Sequence, residues 1–208
     1  MKLTGRLPGW LKVTYTLWVI FWVPAYWKFY GPQNFLWFSD ISNFILLAAL
    51  WAESPLLLSS QALSVLLINT GWTLELAGRL FLGLHYPGGT AYMLDSSFPL
   101  WLRLFSLFHL FVPIIILWGI FKLGYDRRGL TLQILIAWVV LPVSFYFTDP
   151  GKNVNWVWGP FGMKQDILSP EGYLIACMVL YPLLIYLPTH FILKGTGTFF
   201  KTAEGKKF

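Results

Sequence analysis

Six apolar runs, at about residues 13–29, 35–52, 56–84, 100–121, 130–147 and 173–193, leave this chain few ways to fold. A helix needs roughly 20 apolar residues to cross a ~30 Å hydrocarbon core, and the runs cluster around that length. In lipid every backbone N–H and C=O must be satisfied internally, which helices achieve within one segment. The expected fold is therefore all-α, a polytopic bundle of six transmembrane helices forming one domain over 1–208. Charge supports this: only 12% of the residues are charged, about half of what a soluble domain carries. Mean hydropathy is +0.62, so lipid rather than water must cover much of the surface.

Basic residues set the expected orientation. Six crossings put both termini on one side, together with Lys2, Arg6, Lys12, Lys122, Arg127, Arg128, Lys194, Lys201, Lys206 and Lys207. The other side receives Lys28, Arg79, Arg103, Lys152 and Lys164. That asymmetry predicts N-in, C-in, with Trp27, Trp37, Trp101, Trp156 and Trp158 in an outer aromatic belt. The Lys-containing N-terminus reads as the flank of the first span, because bulky Tyr26, Trp27 and Tyr30 stand where a signal-peptide cleavage site would need small residues. The net charge of +6 is spread over the ends of apolar runs. It predicts contact with lipid headgroups and no nucleic acid.

The third run, 56–85, is the unusual one. It carries Asn69, Glu75 and Arg79 inside the span and His85 at its outer end. Ionisable groups in lipid are costly and mark a pairing, a cavity or a function. Glu75 and Arg79 are four apart and share a helix face. At similar depth the second run places Asp40 and Asn43, three apart, and the fourth steps through Arg103, Ser106 and His109. Pro113, four residues beyond His109, leaves that carbonyl without its helical donor. These groups predict an outward-facing polar site with Asp40, Glu75 and His109 as acid–base residues. Asn43, Arg79, Arg103, Ser106 and Trp72 would bind substrate. A purely structural role would instead show ion pairs, Glu75–Arg79 and Asp40–Arg103. The inner half is expected to be thinly polar, with Gln133, Glu53 and His190 near the surface.

Other chemistries find less support. Three histidines are too few for a multi-His iron centre; the weak metal candidates are His85, His109 and Asp95, joined only if the outer loop folds inward. The sequence identifies no cofactor, although a single axial haem ligand at His109 stays open. There is no G-x-S-x-G, P-loop, dinucleotide fingerprint or H-E-x-x-H. Cys177, the single cysteine, sits in an apolar run that suits packing. The connection 148–172 is long and mixes Asn, Gly and Pro with Trp156, Trp158 and Phe161. It reads as an interfacial loop anchored by its tryptophans, with a lid over the outer site as the alternative.

The segments NFLWFSDIS, FSLFH with GYDRRGL, NVNWVWG and YLPTH, spread over most of the chain, resemble a group of uncharacterised bacterial multi-pass membrane proteins. The resemblance implies bacterial origin and carries no activity; the expected location is the inner membrane. The favoured expectation from the residues themselves is an enzyme acting on a lipid or isoprenoid from the outer-leaflet side. A proton- or ion-coupled transporter and an accessory or cofactor-holding subunit are the alternatives. Membrane lipids are the expected partners, and a membrane-protein partner or a second copy stays open.

Overall fold

The computed structural model describes residues 6–84 and 88–204. Among them the structure is helical and no strand occurs. Helices α1 (Gly9–Tyr30), α2 (Phe38–Ala52) and α3 (Pro55–Leu82) are followed by a short α4 (Leu100–Phe105). Then come α5 (Phe108–Leu123), α6 (Gly129–Phe147), α7 (Pro170–Tyr181) and α8 (Leu187–Glu204). Three stretches are long and apolar enough to cross a membrane: Leu100–Leu123, Gly129–Phe147 and Pro170–Gly195. α2 is also apolar but shorter.

α3 is the axis of the bundle and packs against α2, α5, α6 and α8. It begins behind Ser54, whose hydroxyl accepts from the Leu57 amide, with Pro55 at the first helical position, where a missing N–H costs nothing. It runs 28 residues without a break, about 42 Å. Its first half is enclosed on all sides: every residue from Leu58 to Val65 is buried, including Ser59, Ser60, Gln61 and Ser64. A surrounded helix can carry these hydroxyls and amides because they face protein, not lipid. That explains why the longest helix is not among the three most apolar.

Close approach makes the enclosure possible. A Cβ on Gly129 of α6 would lie 2.8 Å from Ser59 Cβ and 2.9 Å from the Ser60 nitrogen, and one on Gly119 of α5 would lie 2.9 Å from Leu58 Cδ1. Small residues let helix backbones meet where no hydrophobic force drives them together. The α2–α3 turn is closed by Glu53 in a left-handed conformation, its carboxylate 2.6 Å from Lys12 Nζ. At the same end the Ser59 hydroxyl accepts from the Asp126 amide, and Tyr125 hydrogen-bonds His190 at 2.7 Å.

Two elements depart from the expected continuous helices. The fourth run breaks at Ser106–Leu107, where 3₁₀-type bonds (Ser106 N to Arg103 O, Leu107 N to Leu104 O) replace the α-pattern. The sixth begins at Pro170 and contains a π-helical turn, Pro182–Tyr186, because Pro182 has no N–H to continue the α-helical ladder. Gln133, near the start of α6, is fully buried at the same end of the bundle as Ser59, Ser60 and Gln61.

Candidate functional site

The connection 148–172 docks onto the opposite end of the bundle from Glu53. Asn155 is 2% exposed and makes three side-chain bonds. Its Oδ1 accepts from the Phe38 amide at 2.9 Å, capping the first turn of α2; its Nδ2 donates to Leu36 O at 2.7 Å and Ser144 Oγ at 3.0 Å. Its carbonyl accepts from the Tyr181 hydroxyl. One asparagine thus ties α2, α6 and α7 together. Gln33 accepts from the Asp149 amide, and Lys152 Nζ donates to the Tyr30 carbonyl at 2.8 Å. Asn153, Asn155, Trp156 and Phe161 all take positive φ. Asparagine tolerates that region, whereas a bulky aromatic there is an outlier. Such conformations persist only where surrounding contacts impose them, and they concentrate at functional sites.

Beneath this connection lies a cavity of about 490 Å³. Its wall is built from the last turns of α1, Ile68 and Trp72 in the middle of α3, the 3₁₀ turn Pro32–Leu36, the first turn of α2, residues 88–92, the α4–α5 break, residues 152–156 and Tyr181. Asp40 reaches it from α2 with 3% of its surface exposed. Asp40 Oδ2 accepts from Asn34 Nδ2 at 2.9 Å, whereas Oδ1 is buried without a hydrogen-bond partner. Among the described residues no lysine, arginine or histidine forms an ion pair with it.

His109 reaches the cavity from the first turn of α5. Its ring is stacked between Trp72 and Phe108, with centroids 4.3 Å and 4.2 Å away. Its Nδ1 lies 2.8 Å from the Ser106 carbonyl, which can only accept. A neutral ring therefore carries its proton on Nδ1 and leaves Nε2 as the acceptor. The 3₁₀ turn nearly eclipses residues three apart, so Ser106 and His109 stay together on the cavity side. Ser106 Oγ shares a 2.6 Å hydrogen bond with the Tyr26 hydroxyl. Tyr92, in the loop above, has its hydroxyl pushed well above its ordinary range by burial.

The eight residues expected to act as acid–base groups or to bind substrate divide evenly. Asp40, Trp72, Ser106 and His109 line the cavity. Glu75, Arg79, Arg103 and Asn43 do not, and each has another occupation. Glu75 Oε1 accepts from Arg79 Nε at 3.1 Å and from the Thr90 hydroxyl at 2.6 Å, fastening the loop to α3. Gly88 fits against it because a Cβ there would come within 2.3 Å of Glu75 Oε2. Arg103 Nη1 donates to the Met93 carbonyl at 2.7 Å, so the expected Asp40–Arg103 pair does not form. Asn43, one turn below Asp40, accepts from the Tyr15 hydroxyl at 2.9 Å. His85 lies outside the described residues. Asp95 is exposed on its loop and accepts from the Ser97 amide, which holds its carboxyl below the usual range. Among the described residues no three His, Cys, Asp or Glu side chains gather as a metal site.

Sequence reasoning missed Asn34, Tyr26, Tyr92, Lys152, Asn155 and Tyr181, all on the cavity wall. The available signal was the repeated asparagine in NVNWVWG, since polar side chains directly ahead of two tryptophan anchors have to bond something. No known family model, curated protein or solved structure matches the chain.

Proposed function

We propose that the chain crosses a bacterial inner membrane six times, N-in and C-in, and acts as an enzyme on a lipid or isoprenoid that enters the cavity from the outer-leaflet side. One observation carries this reading: Asp40 and His109, from different helices, line one cavity. A carboxyl and an imidazole with a free acceptor nitrogen make a proton-exchanging pair, the usual equipment of general acid–base catalysis. The six-crossing topology is supported by the exposed apolar face of α1, where Val13, Leu17, Ile20 and Phe21 point outward. It is also supported by the α3 polar groups being screened by neighbouring helices.

Native mass spectrometry of the gently purified chain tests the reading, paired with lipid profiles of cells carrying wild type, Asp40→Asn or His109→Gln. Bound lipid and a profile that both variants fail to produce are expected. Unchanged profiles with both variants folded would sink it.

A proton- or ion-coupled carrier is the second reading, favoured by the buried inner polar groups. Gln133 and the Tyr186 hydroxyl are buried beside each other, the latter on the π-helical turn. Proton uptake into proteoliposomes driven by a solute gradient would favour it over the enzyme.

A further inference from the structure

The charge of the cavity points to the chemical class of its occupant. Among the described residues Asp40 is the one acidic side chain on the wall, nine-tenths and more buried, with an unpartnered Oδ1. A carboxylate removed from water with a single neutral donor is poorly compensated, and a cation beside it restores the balance. The arginines expected to hold an anionic headgroup lie off the wall, engaged with Glu75 and Met93. Lys152 is on the wall, but its ammonium is bonded to the Tyr30 carbonyl.

The remaining wall is largely aromatic. Trp37 and Trp156 meet edge to face at 5.2 Å, and Trp72, Tyr26, Tyr92 and Phe108 close the other sides. Aromatic faces attract cations through the ring quadrupole, and the attraction grows when both partners are out of water. Such a cage selects a diffuse organic ammonium over a small, strongly hydrated ion. The strained backbone at Trp156 fits this, because it spends conformational energy to present a ring to the cavity.

We propose that the cavity binds an organic ammonium group, with Asp40 as its counter-ion and the tryptophans as its cage. The proposal rests on the reading of this cavity as a substrate site and names the substrate's charged end. Two sources carry that chemistry: a free amine such as choline, or the headgroup of a choline or ethanolamine phospholipid.

The test titrates the purified full chain with choline and with choline's uncharged isostere, in which carbon replaces nitrogen, following tryptophan fluorescence. Choline should saturate at a concentration at least about tenfold lower than the isostere, the margin expected of a desolvated cation–π and ion-pair contact. In Asp40→Asn, checked for an unchanged melting profile, that preference should vanish. Equal binding of the two probes by the wild-type chain overturns the proposal without needing any variant to fold. Undiminished choline preference in Asp40→Asn also overturns it.

Native mass spectrometry from an equal mixture of phosphatidylcholine, phosphatidylethanolamine and phosphatidylglycerol separates the sources. Retention of the first two assigns the lipid headgroup, and loss of all three with choline still bound assigns the free amine. Selective retention of phosphatidylglycerol overturns the proposal. Choline binding that survives in His109→Gln, with an unchanged cellular lipid profile, sinks the enzyme reading alone. An altered profile with no choline preference sinks the ammonium assignment alone.

Discussion

The two ends of the bundle are built on opposite principles. Around the start of α3 the helices touch backbone to backbone through Gly129, Ser59 and Ser60. From its middle onward they part to enclose a 490 Å³ cavity, roofed by a connection with four residues at positive φ among 153–161. Tight packing through small residues stabilises a helical bundle in lipid, where burial of apolar surface contributes little. The open end gives up that packing and keeps a buried carboxyl with one unpartnered oxygen instead. On the proposed reading stability belongs to one end and chemistry to the other, and mutations at the two ends should separate accordingly.

The largest expected effect is at the cavity. On the proposed enzyme reading, Asp40→Asn and His109→Gln should each lower turnover by about 10²–10⁴-fold, the usual contribution of a general acid or base, with little change in melting temperature. A drop in melting temperature that accounts for the lost turnover would move both residues to the structural side. Asn155→Ala should show the reverse, a stability loss of about 2–4 kcal/mol, because the Phe38 amide and two further groups lose buried partners. Thermal melts in detergent measure it, and Asn155→Asp should fall between, keeping the acceptor for Phe38 but losing both donors.

Gly129→Ala should cost about 1–3 kcal/mol through overpacking against the α3 backbone, with cavity ligand affinity unchanged. Gly71→Ala makes the opposite prediction. A Cβ there meets nothing within 4 Å, so the exposed helix position should gain about 0.5–1 kcal/mol from helix propensity. If both glycine variants destabilise equally, the backbone contact is not what distinguishes the first site.

The smallest effect is at the Lys12–Glu53 pair. The hydrogen bond from Lys12 holds the Glu53 carboxyl below its ordinary value of 4.5. The pair's contribution is thus complete above that pH and disappears as pH falls through the lowered folded value. Melts of wild type and Glu53→Gln should differ slightly near neutral pH and converge in acid; a difference that persists there would show that the pair acts through packing rather than charge.

Much of this was legible in the residues. Leu56 to Leu82 announced itself by carrying Asn69, Glu75 and Arg79 through an apolar run, and α3 is indeed the helix that the others surround. The i, i+4 spacing of Glu75 and Arg79 correctly implied their ion pair. Asp40, Ser106 and His109, which depth along the helices placed near one another, line one cavity together with Trp72. Membership of the cavity was less readable for Glu75, Arg79 and Arg103. Depth says nothing about rotation around a helix axis, and loop carbonyls and hydroxyls, here Met93 and Thr90, can capture such groups from outside. The break at Ser106–Leu107 was hidden too, since neither residue disfavours helix strongly and Pro113 drew attention a turn and more too late.

What the sequence determined by itself is the solvent and the element type: long apolar runs with few charges have to be helices with lipid-compatible faces, because an unpaired backbone in an apolar phase is too costly. It also singled out α3, since polar side chains within such a run need protein around them. Only the tertiary structure decided which polar groups share a space. Asn155, more than a hundred residues from the Phe38 amide that it caps, holds the cavity roof, and Asp40 faces the cavity with one oxygen unpartnered. Those facts depend on where distant segments meet, and local chemistry carries no record of that.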